Sequence, residues 1–283
     1  DLHSFPTRRS SDLGEQHLNI FTYECKSQLR SFINWTVGIV GGFLLFVAVF
    51  YGAFMDSKAA VEQALANLPP AFAALFGVHV QSMFTFGGFF QFGYTYLSVV
   101  AAIMASVTGI AVFAREKRNK CADFLLVKPL RHSEIFAQKL FACFALILAL
   151  NVLFLGAVLA AYAVNGVGAE GYARVALAGS SLLFVQLFYL AVAVLYATLA
   201  KKVRSVSGAG MALGFSGFLL MALYSLTEEQ AVRWVSPLQY FSPASVFSTG
   251  GYETKYVLVA VCAAVACLLA AFWRFCRSDA RAD

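Results

Sequence analysis

The stretch that decides the fold is residues 115–139, REKRNKCADFLLVKPLRHSEIFAQK, which separates two long apolar runs. It holds seven of the 21 Lys and Arg residues of the chain. The flanking runs, 89–113 and 140–164, are each long enough to cross a bilayer core, which takes about 20 helical residues. The stretch is therefore predicted to be a charged loop outside the membrane, between two membrane-spanning helices.

The composition is that of an integral membrane protein. Hydrophobic residues make up 60% of the chain and charged residues only 13%, whereas soluble domains carry about 25% charged residues. The net charge of +6 could indicate nucleic-acid binding, but the basic residues cluster at the ends of apolar runs. Membrane topology and lipid head groups account for that pattern. The lipid bilayer is thus the predicted partner, and nucleic acid is not.

Six apolar runs predict an all-α protein with six transmembrane helices. None of them contains Asp, Glu, Lys, Arg or His in its interior. The predicted spans, which make up a single six-span domain over 35–273, are residues 35–54, 89–113, 140–164, 175–199, 206–225 and 256–272.

The N-terminal region divides into two parts. Residues 1–13, DLHSFPTRRSSDL, resemble a translated sequencing-adapter artefact, so residues 1–17 are predicted to be non-native. Apolar residues then recur at spacings of three and four from Leu18 to Phe32, which predicts an amphipathic helix over 18–34 with Glu24 among its polar positions. The helix is expected in the inner membrane interface, and a cytoplasmic packing helix is the alternative.

Loop charges set the predicted orientation. With the N-terminus inside, 15 Lys and Arg residues from 18 onward fall on the inner side and four on the outer side. The positive-inside rule therefore places both termini, the 114–139 loop and the 274–283 tail in the cytoplasm of a cell-membrane protein. Two long outer loops are expected to form short helices on the outer leaflet before spans two and six.

Several activities are excluded by what the chain lacks. There is no GxxxxGK[ST] motif for binding ATP, and no Cys/His cluster with metal-ligand spacing. Gly214-Phe215-Ser216-Gly217 is similar to a serine-protease string, but every histidine lies outside the spans, so no catalytic residue is predicted. Asn151 and Gln186 are interpreted as interhelical hydrogen-bond partners. A secondary transporter is disfavoured because such proteins usually keep ionisable groups at membrane depth.

Small residues predict where helices pack closely. Packing within one subunit is favoured over a contact between two copies, which stays open. The predicted packing positions are Gly38 and Gly42 on span one, and Ser207, Gly210, Gly214 and Gly217 on span five.

The charged loop itself is predicted to form two short helices, 116–127 and 133–139, about a break at Pro129. Ser133 is a plausible cap for the second, with Glu134 in its first turn. The physical chemistry alone leaves two interpretations equally open. One is an ordinary positive-inside loop whose apolar residues lie against lipid, and the other is a docking element for a cytoplasmic partner.

A family resemblance favours docking. The order Glu116-Lys117-Arg118, Asp123-Phe124-Leu125-Leu126, Lys128-Pro129-Leu130 and Ser133-Glu134-Ile135 resembles the cytoplasmic loop of type-two ABC exporter permeases. The six-span layout is similar too. Lys120-Cys121 departs from the Gly-Thr common in that pattern.

The resemblance implies a coupling helix that docks on a separate cytoplasmic ATP-binding subunit. The implied docking residues are Glu116, Lys117, Arg118, Asp123, Phe124, Leu125 and Pro129. It also implies a second permease copy or a paralogue, with ATP and magnesium held by the partner subunit and no cofactor bound by this chain. The predicted function is an exporter permease without enzymatic activity of its own. The alternative is a non-transporting scaffold or sensor that recruits a cytoplasmic partner.

Overall fold

A computed structural model describes residues 10–67, 84–115, 131–165 and 171–277, with side chains from Ile20 onward except at 65 and 66. Within these ranges every regular element is a helix and no strand occurs. Six helices are long and apolar enough to span a membrane, which confirms the predicted fold class. They are Ile20–Asp56, Phe86–Phe113, His132–Asn165, Gly171–Leu199, Val206–Thr227 and Thr254–Arg277.

The predicted N-terminal helix and the first span form one continuous rod. Helix α1 (Ser10–Thr36) continues through a π-helical turn (Val37–Gly41), α2 (Gly42–Phe46), a second π turn (Val47–Tyr51) and α3 (Gly52–Asp56). At about 1.5 Å per residue, its 37-residue apolar part is about 55 Å long, well beyond the roughly 30 Å hydrocarbon core. Part of α1 therefore extends past the membrane, and its place in the interface stays a prediction.

The remaining spans are single helices. They are α5 (Phe86–Phe113), α6 (His132–Asn165), α7 (Gly171–Leu199), α8 (Val206–Thr227) and α12 (Thr254–Arg277). Because residues 116–130 connect α5 to α6, the end of the bundle that carries them is called the loop end.

Short helices precede spans two and six, as the sequence predicts. Helix α4 (Lys58–Ala66) follows the first span, while α9 (Gln230–Arg233), α10 (Pro237–Tyr240) and α11 (Pro243–Thr249) lie between α8 and α12. Each proline opens a helix, where its missing N–H costs no hydrogen bond. The rest of the first long outer loop, including Pro69-Pro70, lies outside the described residues. The position of the short helices on the outer leaflet stays a prediction.

Helix α5 is the centre of the bundle. In its most apolar stretch 61% of residues are buried, against 17% for the first and last spans, which leave most of their surface for lipid. It contacts α7, α8 and α6 along its length. One apolar cluster extends from Phe113 and Phe136 at the loop end to Tyr240 and Tyr256 at the other end, and a second lies around Phe90 and Phe154.

The glycine face of α8 lies directly on α5. A Cβ built on Gly210 or Gly214 would come within 2.4 Å of Val107 or Ile103, and close to their backbone nitrogens as well. At Gly217 a Cβ would lie 1.7 Å from the Tyr189 hydroxyl. These three glycines therefore pack within the subunit.

The other predicted packing residues are open. Ser207 is exposed, and a Cβ on Gly38 or Gly42 would meet no atom within 4 Å.

A buried polar pair joins α6 to α7. Asn151 Nδ2 donates to Gln186 Oε1 at 2.5 Å and to the Ile147 carbonyl at 2.8 Å. Gln186 Nε2 lies 3.5 Å from the Met104 sulfur on α5. The interpretation of Asn151 and Gln186 as interhelical partners is confirmed.

Gly214→Ala is expected to lower the stability of the protein by about 1–3 kcal/mol, because the new methyl group overlaps the α5 backbone. Gly42→Ala is the matched control. Its methyl group meets open space, so the higher helix propensity of alanine should leave stability unchanged or raise it by up to about 1 kcal/mol. Thermal unfolding of both variants in one detergent checks the pair. Equal melting temperatures would contradict the close α5–α8 contact.

Candidate functional site

The site of interest is the junction of α5 and α6 at the loop end. The predicted docking residues Glu116, Lys117, Arg118, Asp123, Phe124, Leu125 and Pro129 all lie outside the described residues. The two points where the loop joins the bundle are described. They are Arg115, just after α5, and the first turns of α6.

A single carboxylate connects both sides of the loop. Glu24 on α1 places Oε2 2.9 Å from Arg115 Nη1 and Oε1 3.3 Å from Lys139 Nζ on α6. The side chains of Glu24 and Lys139 are 3% and 1% exposed, and that of Arg115 is 15% exposed. Three separate helical segments are thus joined through one ion cluster, the Glu24 cluster, formed by Glu24, Arg115 and Lys139.

Hydrogen bonds engage further donors of the Glu24 cluster. Lys139 Nζ donates to the Val112 carbonyl at 2.9 Å, near the end of α5. Arg115 Nη2 donates to Ser27 Oγ at 2.7 Å, and its guanidinium lies 5.6 Å from the Tyr23 ring centroid. The arginine is therefore held by three residues within little more than one turn of α1, and the lysine bridges α1 and α5.

The burial of the Glu24 cluster makes it a strong constraint. Removing a charge from water costs several kcal/mol, which close ion pairing and additional hydrogen bonds offset only when the geometry is good. Two cations share the one carboxylate. Removing the carboxylate would therefore leave both cations poorly compensated, at a high cost in free energy. The helices that contribute these side chains must keep their mutual positions as long as the cluster is intact.

The structure also revises the second half of the predicted loop. The sequence predicts a separate short helix over 133–139, but α6 runs without a break from His132 to Asn165. Ser133 lies inside its first turn, and the Arg131 carbonyl accepts the N–H groups of Glu134 and Ile135. Lys139 is consequently a buried residue of a long helix and not part of a protruding arm.

Sequence reasoning missed the Glu24 cluster because the buried face of α1 is its polar one. Glu24 and Gln28 are buried, while Leu29 and Ile33 are each 48% exposed. Next to lipid, apolar side chains can face outward, and an acidic group must find a cation inside the protein. The available signal was the pairing rule itself. An acidic residue next to an apolar span requires a basic partner, and Arg115 and Lys139 flank the adjacent loop.

Comparison with known proteins adds the family. A family model described as ABC-2 family transporter protein matches residues 18–280. The chain belongs to the ABC-2 transporter family. No curated protein gives a significant match.

Membership places the chain among the membrane-spanning components of these transporters, with a role in transmembrane transport. The matched range contains all six spans, the Glu24 cluster and the loop at 116–130. In this ABC-2 permease the Glu24 cluster thus holds together the two helix ends from which the loop extends.

Glu24→Gln is expected to destabilise the permease by about 3–5 kcal/mol, because it leaves two poorly solvated cations without their carboxylate. Glu62→Gln is the control. It removes an exposed i,i+4 pair with Lys58 at 3.8 Å, which should change stability by less than about 0.5 kcal/mol. Thermal unfolding measures both.

A double variant tests whether the effect of Glu24→Gln is electrostatic. Adding Lys139→Met to Glu24→Gln removes the most deeply buried cation, so it should recover a large part of the lost stability. If the double variant is less stable than Glu24→Gln alone, the carboxylate and the lysine do not act as a buried ion pair.

Proposed function

We propose that this ABC-2 permease works with a separate ATP-binding subunit, which docks on residues 116–130 and drives export of a solute. Family membership supports the transport role. The resemblance of Glu116–Pro129 to the coupling loop of exporter permeases supports the docking site and the direction. ATP and magnesium would be bound by the partner, and a second permease copy or a paralogue would complete the complex.

The observation that carries the proposal is the path from the loop into the bundle. Arg115 lies two residues beyond the end of α5, and α5 is the most buried of the six spans. A displacement of the loop therefore acts directly on the helix against which α6, α7 and α8 pack. Only one residue, Ala114 at the C-cap of α5, separates Arg115 from the helix, so little of the motion would be absorbed.

The Glu24 cluster would pass this movement on to α1. Because Glu24 bonds to residues on both sides of the loop, α1 would move together with the ends of α5 and α6 as one unit. The rest of the first span continues from α1 without a break. Loop displacement would then change the packing of the first three spans together, which is what opening a path across a membrane requires.

The charge distribution supports the orientation. Fifteen Lys and Arg residues from position 18 onward belong to the side that carries the loop and the C-terminal tail, and four to the other side. The permease would therefore sit in the cell membrane with both termini and the docking loop in the cytoplasm, where an ATP-binding subunit can reach it.

Phe124→Asp and Leu125→Asp test the docking assignment. A charge placed in the apolar centre of a protein interface typically costs 2 kcal/mol or more, which corresponds to about a 30-fold loss of affinity. ATPase activity that co-purifies with the tagged permease from its native membranes should fall accordingly. Phe124→Leu keeps an apolar side chain and is expected to stay within about threefold of the wild type.

Two outcomes would contradict the proposal. If both aspartate variants retain the ATPase and full transport, the partner docks elsewhere. If the unaltered permease brings down no ATPase at all, the chain acts as a scaffold or sensor.

A further inference from the structure

A second feature lies at the end of the bundle opposite the loop. A half-open cavity of about 540 Å3 is lined by the first half of α5, the last turns of α8 and the segment from α9 to α11. Small-molecule sites generally have volumes of about 300–1,000 Å3. The cavity is therefore large enough for an organic solute, and neither the Glu24 cluster nor the loop contributes to it.

The Ser and Thr hydroxyl groups of the cavity offer mainly acceptors, whereas donors come from the hydroxyls of Tyr94 and Tyr224 and the amides of Gln91, Gln230 and Gln239. Six of the seven Ser and Thr residues that line it donate their O–H to a main-chain carbonyl three or four residues earlier, over 2.7–3.1 Å. They are Thr95, Ser98, Ser225, Ser245, Ser248 and Thr249. A hydroxyl has one hydrogen to give and two lone pairs to accept with. These six side chains thus present oxygen lone pairs to a ligand, unless a helix bond is broken.

The one cation in the lining is already engaged. Arg233 pairs with Glu253, and its guanidinium lies 4.2 Å from the Tyr256 ring centroid. Lys255 approaches the other oxygen of Glu253 at 3.4 Å. Burial raises the pKa of Glu253, but the hydrogen bond and charge of Arg233, together with Lys255, leave that pKa below its ordinary value. Glu253 is therefore committed to these two cations, and Arg233 is poorly placed to receive an anion.

Glu228 is the unpaired charge of the cavity. Its carboxylate makes no ion pair or hydrogen bond with any part of the chain that the structure describes. Glu228 ends α8 in a left-handed conformation, with φ at 53° and its N–H on the Tyr224 carbonyl. This backbone turn places Glu228, an exposed residue, in the lining of the cavity, and its carboxylate forms no ion pair with Arg233, the one cation there.

We propose that the cavity binds a hydrophilic solute that carries an ammonium group, with Glu228 as its counter-ion. An ammonium group supplies three donors and no acceptor, which matches the lone pairs of the six Ser and Thr hydroxyls and the carboxylate of Glu228. An anionic solute would be repelled by Glu228, while the one cation of the lining, Arg233, is already paired with Glu253. The inference deepens the proposed transport function by naming the class of solute, and it rests on that function only for the step of transport.

A matched series of polyols isolates the charge of the ligand. Glucamine, sorbitol and gluconate share one hydroxylated carbon chain that ends in an ammonium, a hydroxyl and a carboxylate group respectively. Calorimetric titration of the full permease in lipid nanodiscs, with no ATPase subunit present, should show glucamine binding about tenfold more tightly than sorbitol. Gluconate should bind more weakly than either.

Two neighbouring glutamates provide the variant and its control. Glu228→Gln should remove the preference for glucamine over sorbitol while leaving sorbitol binding within about twofold. Glu229→Gln makes the same change of charge one residue away, outside the cavity lining, and should keep the preference. Thr95→Val should weaken all three ligands, because it removes an acceptor shared by the whole series.

The proposal is overturned if the unaltered permease does not bind glucamine, binds the three polyols equally, or prefers gluconate. It is also overturned if Glu229→Gln reduces the preference as much as Glu228→Gln. Because these titrations contain no ATPase subunit, they fail or succeed independently of docking on residues 116–130. If the permease binds glucamine but no ATP-binding subunit docks on it, the docking proposal is rejected and the solute site is retained.

Discussion

The structure depends on the pairing of one buried carboxylate with two cations. Glu24 is buried between Arg115 and Lys139, and Lys139 Nζ also donates to the Val112 carbonyl, so removing one partner would leave a buried charge uncompensated. This requirement fixes α1 against the ends of α5 and α6. Hydrophobic burial does little to fix that position, because lipid tails accept apolar side chains as readily as the protein does. Electrostatics therefore specifies a helix arrangement that apolar packing alone would leave loosely defined.

Helix α5 connects the two ends of the bundle. Fifteen residues of unbroken helix, or about 22 Å at roughly 1.5 Å per residue, separate Phe113 at the loop end from Ser98, the nearest residue of α5 that lines the polar cavity. Its middle is held by glycines of α8 on one side and by the Asn151–Gln186 pair near Met104 on another. A rigid central helix with close neighbours transmits displacement well, because packed interiors have little free volume in which a shift could be lost.

The sequence was sufficient for the spans and insufficient for the contacts between them. The hydrocarbon core demands about 20 apolar residues per crossing, so six runs predicted six helices with ends within a few residues for most of them. The glycine spacing on α8 correctly indicated close packing, whereas Gly38 and Gly42 show that the same spacing can face open space. The burial of Glu24 was not predictable from helix periodicity. Nor were the two π turns in the first span, each of which adds a residue to the helical repeat. The hydrogen bonds from Ser and Thr hydroxyls to nearby carbonyls leave no pattern in the sequence.

The contact between Gly214 and Ile103 limits which substitutions can accumulate in this protein during evolution. With a Cβ at 214 falling 2.4 Å from the Ile103 side chain and 2.9 Å from its backbone nitrogen, the two positions cannot be altered independently. A smaller residue at 103 is tolerable first, but a larger one at 214 also needs the helices to separate. Substitutions at the contact between α5 and α8 are therefore constrained in their order as well as in their identity.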